Sequence, residues 1–173
     1  EGRDLRIAVV GQMKAGKSSF LNAAFFGRDL LPKADIPMTA ALTKIVYAPK
    51  AKAEVVFYTP DDWHSMEQRA DDYARRYAEE ETKLIEQSKT SPFARPRQPS
   101  KDEVDSRISE SLKASAELVT KAKQLGLNVH AYLGKIQVLE NIDSAQGLTE
   151  ALHEYVGSGG RFTAITKMTV LSV

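Results

Sequence analysis

The chain has 173 residues, with Lys+Arg 24 against Asp+Glu 23, so its net charge of +1 gives no global field to draw in nucleic acid. There is no cysteine, which excludes a disulfide framework, a thiolate zinc site, an iron–sulfur cluster and a cysteine nucleophile. No apolar run approaches the ~18 residues of a membrane span, and residues 1–10 lack a signal-peptide core, so the sequence reads as a soluble, cytoplasmic chain.

In chain order, Leu5-Arg6-Ile7-Ala8-Val9-Val10 is a short, nearly continuous apolar run that stops at Gly11, the pattern of a buried parallel strand. Lys17 to Phe26 reads as a helix, with Gly27 placed for a left-handed stop. A loop with Pro32 and Pro37 leads to two strand candidates, Ala41–Ala48 and Ala53–Thr59. The turn Pro49-Lys50-Ala51-Lys52 between them predicts a hairpin with lysine-guarded edges. Thr59-Pro60-Asp61-Asp62 is a helix start: a threonine cap, proline at the first helical position and aspartates in the first turn. From there Trp63, Met66, Ala70, Tyr73, Tyr77 and Leu84 recur at helical spacing, until Lys89–Pro99 brings three prolines and a loop. Ser100 and Glu103 have capping-box spacing, and Val104, Ile108, Leu112, Ser115, Val119 and Ala122 form a second stripe. A third helix is expected from Ser144 to about Val156, then the glycine-rich Gly157-Ser158-Gly159-Gly160, then a strand over Thr163–Val173. The order predicts an α/β fold in three parts: residues 1–59, a helical hairpin insert over 60–125, and a return to the core over 126–173.

Gly11-Gln12-Met13-Lys14-Ala15-Gly16-Lys17-Ser18 fits G-x-x-x-x-G-K-[ST], the P-loop, a match that arises by chance in roughly one chain of this length in 200. The chemistry requires these residue types. Glycines let successive backbone N–H groups turn inward around a phosphate. Lys17 places a compact positive charge on the β and γ phosphates, and Ser18 offers a hydroxyl to Mg²⁺. The following helix aims its positive end at the anion. Together with Ser19, the segment Gly11, Gln12, Met13, Lys14, Ala15, Gly16, Lys17 and Ser18 is the expected nucleotide-binding element of a P-loop NTPase, a three-layer αβα architecture. His64, His130 and His153 stand far apart and near no ligand partner, so a histidine metal site is not expected.

The same segment continued through Ser19-Phe20-Leu21-Asn22-Ala23 resembles the P-loop and first helix of bacterial dynamin-like GTPases. The likeness runs on through Leu30-Leu31-Pro32 and Ile36-Pro37-Met38-Thr39-Ala40-Ala41-Leu42-Thr43, which is similar to that family's first switch. Tyr155–Lys167 also looks like the family's approach to its third motif. The resemblance implies GTP/GDP and Mg²⁺ as ligands and hydrolysis coupled to nucleotide-dependent self-association. It further implies work at a membrane surface, peripheral to the inner face of the cell membrane, while the balanced charge gives no expectation of direct nucleic-acid binding. It implies that Thr39 brings its hydroxyl to Mg²⁺ and the attacking water, with Thr43 the competitor for that role. Lys14 stands where eukaryotic dynamins have serine and guanylate-binding proteins have an arginine finger. A charge there would offset the transition state. Met13 occupies the place of a water-positioning glutamine, so no catalytic glutamine is assigned.

Neither the Asp-x-x-Gly nor the Asn/Thr-Lys-x-Asp motif of a GTPase occurs in these residues. Asp143-Ser144-Ala145-Gln146-Gly147 has one residue too many, and Thr166-Lys167-Met168-Thr169 ends in threonine where the base-reading aspartate belongs. The expectation is a GTPase domain cut before its third motif, with little activity as a fragment. Two other classes remain open on the residues alone. One is a P-loop ATPase, because nothing here reads the base. The other is a non-hydrolytic, nucleotide-dependent scaffold on chromosomal, replication or secretion machinery.

Overall fold

The computed structural model describes residues 16–26, 42–46, 52–90, 98–140, 145–157 and 159–172. They form two compact units, one built from residues 1–56 with 136–173 and the other from 57–135. The expected strand at Leu5–Val10, the Gly27 stop, the Pro32 and Pro37 loop and the helix start at Ser144 lie outside the described residues.

The first unit holds helix α1 (Lys17–Leu21), strands β1 (Leu42–Val46) and β2 (Lys52–Phe57), strand β3 (Ile136–Leu139), helix α5 (Ala145–Val156) and strand β4 (Thr166–Ser172). The other unit holds helices α2 (Pro60–Thr90), α3 (Lys101–Asp105) and α4 (Glu110–Gln124). The sheet order is β1-β4-β2-β3. β1 runs parallel to β4, with Leu42 opposite Met168 and Val46 opposite Ser172. β2 runs antiparallel to β3, with Ala53 opposite Leu139 and Val56 opposite Ile136.

This order corrects the expected hairpin of the two early strands. Both strands form, but β4 lies between them. The reason is burial. Ile165 and Leu171, together with Val55 of β2, are among the largest fully enclosed side chains, and Thr166, Thr169 and Ser172 are buried with them. A strand enclosed in this way takes a central place and displaces the sequence-adjacent pairing. β3 is a strand the sequence pattern did not announce, because its side chains are largely exposed and carry no burial alternation. Ile136 and Val138 lie on its open face at 59% and 42% exposure.

α5 ends as expected at Val156, and the glycine-rich turn sends the chain into β4 through a short 3₁₀ turn over Thr163–Ile165. A Cβ at Gly160 would run into the carbonyl oxygens of His153 and Glu154, so only glycine fits this close return. The Phe162 N–H donates to the Glu154 carbonyl at 2.8 Å, and the Thr163 hydroxyl donates to the Gly157 carbonyl.

The second unit is helical. α2 (Pro60–Thr90) starts where the sequence predicts, with the Asp62 N–H donating to Thr59 Oγ1 at 3.1 Å and the Thr59 N–H to Asp62 Oδ2 at 3.2 Å. The Ser100–Glu103 capping box also forms, opening α3 (Lys101–Asp105). The second stripe does not lie on one continuous helix. The chain breaks over residues 106–109 and restarts as α4 (Glu110–Gln124). Ser106 turns its hydroxyl back onto the Glu103 carbonyl at 2.8 Å, a local bond that competes with the helical ladder. The apolar stripe survives the break, because Val104, Ile108, Ala116, Val119 and Ala122 are all buried.

α2 packs along α4 and against α3, and polar bonds set the register. Arg69 Nε donates to Ser115 Oγ at 3.0 Å, and that hydroxyl donates to the Ser111 carbonyl at 3.0 Å. The Tyr73 hydroxyl donates to Asp105 Oδ1 at 2.6 Å. Buried Trp63 satisfies its indole N–H on Glu67 Oε1 at 3.0 Å. Among the described residues no helix is long and apolar enough to cross a membrane.

Burial, the bond to Asp105 and the charge of that carboxylate hold the Tyr73 phenol well above its ordinary value of 10.0. Ionisation would set a phenolate against Asp105. The stabilisation is therefore complete below the unfolded phenol's pKa near 10 and is lost as pH rises toward the folded value. Tyr73→Phe is expected to cost about 1–2 kcal/mol at neutral pH, measured by urea unfolding. Its stability should also fall less steeply than the wild type's above about pH 10.

Candidate functional site

The P-loop segment enters the described structure at Gly16. Its φ is +79, a left-handed conformation that side-chain-bearing residues rarely adopt, and it is exposed. Helix α1 begins at the next residue, Lys17, and the Phe20 N–H donates to the Gly16 carbonyl at 2.9 Å. The backbone N–H groups of Lys17, Ser18 and Ser19 are therefore first-turn donors without an intrahelical acceptor, and Ser19 is exposed. The helix start expected from the sequence is in place. Gly11, Gln12, Met13, Lys14, Ala15 and Thr39 lie outside the described residues.

α1 is one turn long and passes into a π-helical turn over Asn22–Phe26, where the sequence pattern predicts plain helix. Asn22 is 2% exposed, a buried polar residue to which sequence reasoning assigned no role. A polar residue at the centre of an otherwise apolar-looking helix carries no periodic signal, so only the fold reveals its burial.

Thr43 lies within β1, in register with Thr169 of β4. Thr166-Lys167-Met168-Thr169 runs along β4 with Thr166 and Thr169 buried, so this look-alike of a base-reading loop is part of a strand. An open hollow of about 370 Å³ in the helical unit is lined by Asp102, Asp105, Ser106, Glu110, Lys113 and Glu117. Lys113 is bonded to Glu110, which together with the surrounding carboxylates raises its pKa, so this acidic hollow has no free cation to offer a phosphate.

The dynamin family's sequence model matches residues 7–133, and the chain belongs to that family. It is similar to the bacterial dynamin-like protein of Nostoc punctiforme, with 36% identity over 88 residues, covering 51% of this chain and 13% of that protein. Dynamin-like protein 1 of Campylobacter jejuni is 38% identical over 63 residues, 36% of this chain and 8% of that protein. The clamp-binding protein CrfC of Escherichia coli is 41% identical over 56 residues, 32% of this chain and 7% of that protein. The matched stretch thus spans 13% or less of the length of these relatives. The family implies a P-loop GTPase fold, and the mixed helix-and-sheet architecture is compatible with it.

A Cβ at Gly16 would meet nothing within 4 Å, so Gly16→Ala carries a purely conformational cost. The expected loss is about 1–2 kcal/mol of stability, read from urea unfolding of the variant beside the wild type.

Proposed function

We propose that the chain is the phosphate-binding part of a dynamin-like GTPase that binds GTP with Mg²⁺ and hydrolyses it. The observation that carries this reading is the junction at Gly16, where a left-handed glycine passes directly into a helix opening at Lys17, in a chain of the dynamin family. On this reading the core is a three-layer αβα P-loop fold, with residues 60–125 as its helical insert. The backbone from Gly11 to Ser19 surrounds the phosphates, and Lys17 holds their charge. The donor set fits a magnesium nucleotide: a lysine and two hydroxyls at the start of a helix that follows the glycine. Magnesium, when bound, neutralises phosphate charge, and Ser18 and Thr39 are the residues that hold it.

Thr39 is preferred over Thr43 by its place in the motif, following Pro37 and preceding the strand in which Thr43 lies. Lys14 places a second charge on the transferred phosphoryl group. Self-association driven by nucleotide, and peripheral attachment to a membrane from the cytoplasmic side, complete the reading by resemblance. A second reading, a nucleotide-dependent scaffold acting on a protein partner, is favoured by the likeness to the clamp-binding protein. Co-sedimentation of the full-length protein with liposomes, with and without nucleotide, separates the two.

Two measurements on the full-length protein test the site. Labelled GDP should bind with Mg²⁺ and be displaced by GDP and not by ADP. Lys17→Ala should weaken that binding by about 1.5–3 kcal/mol, roughly 10- to 150-fold. Binding of labelled ADP where labelled GDP fails to bind would make the protein an ATPase. For Lys14→Ala, turnover per bound GTP should fall about a hundredfold with affinity little changed. Lost affinity with unchanged turnover would remove Lys14 from the catalytic role.

A further inference from the structure

The segment after the P-loop inverts the usual pattern of a docked helix. A surface helix is ordinarily held by an apolar face, and a single turn does not stand alone. Here the large apolar residue is outside and a polar one is inside. Phe20 is 56% exposed and Asn22 is 2% exposed. Among the residues of 16–24 with described burial, Leu21 is half-buried, Gly16, Ser19, Ala23 and Ala24 are exposed, and Asn22 alone is buried. The same residue opens the π-helical turn, a geometry that is rare and frequently found at functional sites.

We propose that Asn22 is a positioning residue for phosphate binding, its buried amide fixing the single turn of α1 that presents Lys17 and Ser18; this rests on the nucleotide reading above. Position 22 lies four residues beyond 18, about 6 Å along the axis, so the anchor sits one turn behind the phosphate-facing N–H groups. Asn22 makes a polar or electrostatic contact, and an amide buried to this degree is bonded as a rule. An amide bond is directional, unlike apolar packing. It fixes the rotation of the turn about its own axis, and with it the direction in which the first-turn donors point. Burying a leucine at this position would fill the same space but leave that rotation unset.

The test is labelled GDP binding with Mg²⁺ by the full-length protein, at a temperature where every variant is folded by circular dichroism. Asn22→Leu keeps size and burial and loses the bonds, and it should bind about tenfold more weakly. Asn22→Ala, the second variant where leucine prevents folding, should show the same loss. Asn22→Ser, with a hydroxyl that donates and accepts, should restore affinity to within about threefold of wild type. A purely structural role would shift the melting temperature and leave the affinity of the folded variants unchanged, and that result overturns the proposal. A wild type that fails to bind GDP overturns the nucleotide reading itself, an outcome distinct from equal binding by wild type and variants.

Discussion

Burial of β4 between β1 and β2 is the constraint on which the sheet-forming unit depends. The strand carries Leu171 into the interior, with Ile165 immediately before it, and sets Thr166, Thr169 and Ser172 where water does not reach. Its threonines suit that place. Their branched side chains favour extended backbone, and the Thr166 hydroxyl is satisfied on the Phe162 carbonyl at 3.0 Å. The approach is equally constrained. The chain leaves α5, turns through glycines that admit no side chain at Gly160, and enters β4 through a 3₁₀ turn with Thr163, Ala164 and Ile165 all buried. Since β1 and β4 lie far apart in sequence, their pairing carries a large loop-closure cost that the enclosed side chains must offset.

The helical unit is organised by a different balance. Its apolar stripes bury Trp63, Met66, Val104, Val119 and Ala122, but small residues and a serine share the interface. Such a seam leaves the helices free to slide unless something fixes their register. The Arg69–Ser115 and Tyr73–Asp105 bonds join α2 to α4 and α3 at defined positions. The surface ion pairs add little by comparison. The Glu80 carboxyl sits below its ordinary range chiefly through its bond to Lys83, with Arg107 more distant at 3.7 Å.

The P-loop segment joins local and non-local physics. Its glycine, its lysine and the helix start are written within a few consecutive residues, as a motif must be if backbone donors are to converge on one anion. The burial behind it is not written there. A one-turn helix with an exposed phenylalanine, followed by a π-helical turn that opens on a buried asparagine, has a rule-breaking pattern, and such breaks gather where function overrides packing.

Residue order alone carried the P-loop, the Thr59–Pro60 start, the Ser100–Glu103 capping box, the stop after Val156 and the likeness to dynamins. Each is a short-range signal, settled by atoms one or two turns apart. The neighbours of β1 and β2, the exposed strand β3, the break between α3 and α4 and the burial of Asn22 were decided only by the folded chain. Strand order and the choice of buried face depend on contacts between residues distant in sequence. There the apparent hairpin at Pro49–Lys52 lost to the greater burial gained by placing β4 between its two arms.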